Sequence, residues 1–183
     1  MPSDPITFFV HGLARPGGSK RGFIIRAKGR PDRVAMADAS GASGKTWRQD
    51  VKHAAFCAMA GREPLAGPLF LSVRFVMPRP AGHYGSGRNA GVLKDGAPLW
   101  PITRPDATKL IRSLEDACTG ILWLDDSQVV MQAVGKEYGH AKDMGAHVSV
   151  QPMTEEIRAR APRSLFDPTP PEAPQSAAPA SAS

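Results

Sequence analysis

Between Pro105 and Gly120 the apolar residues Ala107, Leu110, Ile111, Leu114, Ala117 and Cys118 recur every three or four positions. That spacing gathers them on one stripe of a helix of about four turns. Asp106, Lys109, Arg112, Ser113 and Asp116 fall on the opposite side. Pro105 suits the start of such a helix and Gly120 its end. A helix this unequal must lie against another layer, and its sequence neighbours are strand-like. Pro68–Met77 reads as a largely buried strand. A second strand runs through V-V-M-Q-A-V-G-K-E-Y to Gly139, and a third covers Ala146–Val150. Ile6–His11, ended by Gly12, and Phe23–Arg26 read as two further strands. Trp47, Val51, Ala54, Ala55 and Ala58 predict another amphipathic helix, ended by Gly61 and Pro64. Pro78–Thr103, rich in Gly and Pro, reads as a long functional loop.

The chain has 183 residues, 42% hydrophobic and 22% charged, which fits one globular domain and excludes wholesale disorder. No apolar run approaches the ~18 residues of a spanning helix. Met-Pro-Ser-Asp-Pro at the N-terminus does not read as a signal peptide. Cys57 and Cys118 make no disulfide framework, and both are expected to be buried. A soluble, cytoplasmic protein is therefore expected, with no membrane partner. After Met153 the composition turns to Ala, Pro, Ser and Glu, so residues 1–153 are the expected domain and 154–183 a disordered tail. The whole chain carries +6, and the tail, with three Arg and four acidic residues, leaves +7 on the body. Such a body favours a polyanionic partner. Seven Lys/Arg against one acid between Arg15 and Arg33, set among turn formers, read as a basic hairpin or loop suited to phosphate.

The five histidines are scattered without metal-ligand spacing. Ala39–Thr46, A-S-G-A-S-G-K-T, approaches a P-loop, but Ala39 stands where the first glycine is required and no clear buried strand delivers it. A nucleotide-binding protein is thus the weaker alternative. Asp106 at a helix start, Asp116 on the same helix and Asp125-Asp126 after an apolar run form a more promising acidic set, since Mg²⁺ binds through one or two carboxylates and substrate oxygens. Ten residues separate Asp106 from Asp116, about 15 Å along a helix, so they cannot share an ion. A site would need Asp125 or Asp126 beside Asp106, with Arg112 near the phosphate charge. The plain alternative makes Asp106 a helix cap and Asp125-Asp126 a turn.

The run R-P-D-A-T-K-L-I-R-S-L-E-D-A-C-T-G-I-L-W-L-D-D-S-Q-V-V, Arg104–Val130, resembles the core motif of the RusA family of Holliday junction resolvases. The likeness extends from about Ile6 to Gln151. It implies an α+β fold, a small mixed sheet with two main helices, assembled as a homodimer. It also implies cleavage of four-way DNA junctions by phosphodiester hydrolysis, with Mg²⁺, or Mn²⁺ in its place. By the resemblance Asp106 and Asp126 are metal-binding and catalytic, and Arg112 takes the place of the family's basic residue. Thr108 and Lys109 stand where the family motif has its second Asp and its Asn. Thr108 or Asp125 would then have to complete the metal's ligands, and a junction-binding protein that no longer cuts is the alternative. Lys20, Arg21, Arg26, Lys28, Arg30, Lys109 and Lys136 are the expected DNA contacts. Pro162–Phe166, P-R-S-L-F, resembles peptides that dock on the bacterial sliding clamp, without their leading glutamine.

Overall fold

A computed structural model describes residues 4–17, 20–26, 28–38 and 41–160. The chain divides into two compact units, Met1–Pro152 and Met153–Ser183. The first unit contains β1 (Ile6–His11), β2 (Lys20–Ile25), β3 (Arg33–Asp38), α1 (Gly41–Met59), β4 (Leu69–Pro78), α2 (Ala107–Cys118), β5 (Val129–Gly139) and β6 (Gly145–Pro152). Four strands form a mixed sheet in the order β1-β6-β4-β5, parallel between β4 and β5 and antiparallel elsewhere. β2 and β3 make a separate antiparallel ribbon. The fold is therefore mixed α+β with two main helices, as expected.

Period-two patterning settles which strand face is buried. Ile6, Val10, Val150, Val148, Ala146, Leu71, Val73 and Phe75 are buried in register across three strands. β5 continues these rows, pairing Gln132 with Leu71, Val134 with Val73 and Lys136 with Phe75. Gln132 and Lys136 both bond to α2 or its approach, which fixes that face as the helix side. Against it lie Leu110, Ile111, Leu114, Ala117 and Cys118 of α2, with Trp47, Val51, Ala55 and Met59 of α1. α2 is the crossover that makes β4 and β5 parallel, which a tight turn cannot do. Leu122 and Trp123 are fully buried, and the Trp123 indole N–H donates to Thr119 Oγ1 at 3.2 Å.

Three local expectations change. Ser113 is fully buried instead of outward-facing, because residues 13–17 cover that flank of α2. Gly17 N donates to Lys109 O at 2.8 Å, and a Cβ on Gly17 would lie 3.0 Å from Ser113 Cα and Cβ. α1 begins at Gly41, so Gly44, Lys45 and Thr46 are helical, and the preceding β3 belongs to the antiparallel ribbon. The phosphate-wrapping loop and buried parallel strand of a P-loop are thus missing among the described residues. Cys118 is buried as expected, whereas Cys57 is exposed.

In the second unit, Glu155–Arg160, assigned by composition to the disordered tail, forms a short helix, α3. Thr154 Oγ1 accepts from Ile157 N at 3.3 Å. Pro162–Phe166, the segment resembling clamp-binding peptides, lies outside the described residues.

Leu114, fully buried between α2 and the sheet, carries the clearest packing prediction. Leu114→Ala is expected to cost about 3 kcal/mol and lower the melting midpoint by roughly 6–12 °C, read by thermal denaturation.

Candidate nuclease site

The two ends of α2 hold opposite electrostatic environments. At its N-terminus Asp106 occupies the cap position, yet its carboxylate makes no capping bond. An Asp at this position ordinarily accepts from the first-turn amides. Here Asp106 Oδ2 lies 3.6 Å from Lys109 Nζ, with both side chains about half exposed. Asp106 and Lys109 line a cleft of about 570 Å³ together with Arg15, Arg104, Lys136 and Tyr138. The walls come from the segment after β1, the carboxyl ends of β4 and β5, and the approach to α2. One carboxylate thus sits among four cations. Unsatisfied amides and the positive end of the helix dipole add to the pull on an anion.

Lys136 acts as a brace for this cleft. It faces α2 from β5, and its Nζ donates to Thr103 O at 3.0 Å and Pro105 O at 2.9 Å. The expected DNA contact thereby also holds the chain that leads into Asp106. Arg79 braces the same segment, donating to Pro98 O at 2.8 Å while its guanidinium lies 4.4 Å from the Tyr138 ring centroid.

Glu115, Asp116 and Asp126 gather at the C-terminal end of α2. Glu115 accepts from Gln132 of β5. Burial first, then the charges of Asp126 and Asp116, push its carboxyl above the usual range. The sequence reading did not single out Glu115. Its signal is faint, a carboxylate next to the apolar stripe and only half covered.

Asp125 and Asp126 divide the work of the turn. Asp125 Oδ1 accepts from Ser127 N at 2.9 Å, and Ser127's hydroxyl and amide hold the Asp125 carboxyl below its usual range. Gln128 Oε1 accepts from Leu124 N at 2.9 Å and Asp125 N at 3.1 Å, and its Nε2 donates to Leu65 O at 3.0 Å. Asp125 and Gln128 therefore build the turn and dock it before β4, leaving Asp126 exposed at its edge. Gln128, quoted in the motif, had no assigned role in the sequence reading.

The required meeting of Asp106 with Asp125 or Asp126 does not occur within one chain. Asp126 lies by Glu115, and Asp106 precedes Glu115 by nine residues of helix, roughly 13 Å. Among the described residues, no three His, Cys, Asp or Glu side chains gather to hold a metal ion. A single chain therefore does not fit an ion shared by these aspartates. Thr108 and Arg112 are exposed on α2 and line no part of the cleft. Arg26 is exposed and pairs with Asp32 at 3.5 Å, and Lys28 and Arg30 are exposed in the turn between β2 and β3. Lys20 and Arg21 belong to β2, but their side chains lie outside what is described. No described helix is long and apolar enough to cross a membrane.

The raised Glu115 pKa gives a pH prediction with a definite sign. Below the usual Glu range the carboxyl is protonated folded or unfolded, and nothing is lost. As pH rises, the unfolded chain ionises first, so folding loses stability until Glu115 ionises in the native state. Glu115→Gln is expected to melt above the unmodified protein at pH 7, with the gap closing near pH 4. Melting midpoints across that range check it.

Comparison with known proteins agrees with this frame. The family model described as Endodeoxyribonuclease RusA matches residues 15–151, from the cleft residue Arg15 to the end of the sheet. An uncharacterized protein of Bacillus subtilis (strain 168), YqaN, is 31% identical over 137 residues, 74% of this chain and 89% of the relative. The chain belongs to the RusA endodeoxyribonuclease family.

Proposed function

We propose that this protein is an endonuclease that resolves four-way DNA junctions by hydrolysing phosphodiesters near the crossover. The observation that carries the reading is the uncapped Asp106 carboxylate at the mouth of a cation-lined cleft, at the N-terminus of α2. Arg15, Arg104, Lys109 and the helix terminus draw a backbone phosphate in and fix it. Lys136 and Arg79 hold the walls, so the cations meet the phosphate without first being ordered. Arg26, Lys28 and Arg30 on the ribbon add charge along the flanking duplex.

A homodimer belongs to the same reading. Asp106 and Asp126 stand at opposite ends of α2, so a two-fold axis running the α2 helices of two copies antiparallel sets Asp126 of one copy toward Asp106 of the other. Two equivalent sites would then face two equivalent strands of a junction. Only with both carboxylates together do the donors suit Mg²⁺ or Mn²⁺. A bound ion supplies charge neutralisation at the phosphate and an activated water.

Thr108 favours a second reading, a protein that binds junctions without cutting them. It leaves the first turn of α2 with one exposed hydroxyl and no second carboxylate. Incubation of a labelled four-way junction and its separate duplex arms, with and without Mg²⁺, decides between the two. The nuclease reading expects paired nicks in the junction alone, at least 100-fold fewer with Asp106→Asn, while binding persists. Tight junction binding with no cut by either protein supports the second reading. No preference for the junction removes both.

A further inference from the structure

Beside the cleft, three of four consecutive residues present large apolar side chains to solvent. Leu99 is 71% exposed, Trp100 58% and Ile102 82%. Single exposed apolar residues are ordinary, but a grouped set containing an aromatic marks a contact surface. These side chains are held outward by structure. Arg79 fixes the carbonyl of Pro98 on one side, and Lys136 fixes the carbonyl of Thr103 on the other. Between them Pro101 is buried in the cleft wall while both its neighbours stand free. The result is a braced apolar lip next to Arg104 and Asp106.

The cleft's charge identifies what passes over that lip. Arg15, Arg104 and Lys109 attract a polyanion, and the body's net positive charge acts in the same direction. An open indole face bordering a phosphate-attracting groove has the make-up of a base-stacking platform. Inside a regular duplex every base face is covered by its neighbours. At a branch point stacking is interrupted, and base faces become available.

We infer that Trp100, with Ile102 beside it, stacks on bases exposed at the branch point and so discriminates branched from unbranched DNA. The inference rests on the nuclease reading and assigns the cleft rim a specificity role distinct from phosphate contact, because it reads base faces that a regular duplex covers.

The chain's other two tryptophans, Trp47 and Trp123, are 2% and 0% exposed, so the quencher-accessible indole is that of Trp100. The full-length protein is titrated with a four-way junction and with an unbranched duplex, following acrylamide quenching and affinity. Junction binding is expected to shield the indole while duplex binding leaves it open. Trp100→Ala should weaken junction affinity about tenfold and leave duplex affinity unchanged, while Trp100→Phe keeps most of it. The unchanged duplex affinity shows that the variant is folded. A junction preference that survives Trp100→Ala with the wild-type indole unshielded overturns this inference and leaves the nuclease reading standing. Shielding that grows with protein concentration without DNA also overturns it, since a second copy then covers the lip. Absence of any junction preference in the wild type overturns both.

Discussion

One apolar stripe of α2 lies against the helix-facing rows of β4 and β5, and the rest of the body is arranged by that contact. Leu110, Leu114 and Cys118 are fully buried in it. Each buried leucine contributes about 2 kcal/mol, so the stripe fixes both the position and the direction of the helix. With α2 as crossover, β4 and β5 run parallel and their carboxyl ends meet the start of α2. Parallel sheets place ligand crevices at such ends. The cleft containing Asp106 occupies this position, and its cations come from the segments that converge there.

The direction of α2 also separates charges. Cations collect at its N-terminal end, and Glu115, Asp116 and Asp126 at its C-terminal end. Asp106 at the cap obeys the ordinary rule that places acids first along a helix, whereas Glu115 and Asp116 near its end do not. Stability alone gives no reason for acids at that end. Lys136 and Gln132, four residues apart on one face of β5, tie the strand to the two ends and keep them a fixed distance apart.

Much of this was legible in the sequence because it is periodic. The stripe on α2, the limits set by Pro105 and Gly120, and the alternation of Leu69, Leu71, Val73 and Phe75 all follow from side-chain geometry along one element. What failed depends on contacts between elements. Ser113 reads as outward until the segment ending at Gly17 covers it. Lys136 reads as a surface cation until its amine meets the two carbonyls before Asp106. Glu115 acquires its raised pKa only when packing buries it and the Asp125–Gln128 turn adds the charge of Asp126. The capping residues Asp125 and Gln128 follow a recognisable local pattern, but the motif's chemistry drew attention to the aspartates instead. The family resemblance placed Asp106 and Asp126 in one site, and the helix between them puts one chain's pair at opposite ends.

That separation makes the account testable by mixing. Asp106→Asn and Asp126→Asn proteins, each inactive alone, are combined and allowed to exchange subunits before a four-way junction and Mg²⁺ are added. If the two aspartates meet across a two-fold axis, a mixed dimer contains one site with both aspartates and one with neither, and single-strand nicking at the crossover returns. A mixture as inactive as its parents, under conditions where exchange is demonstrated, would contradict the account.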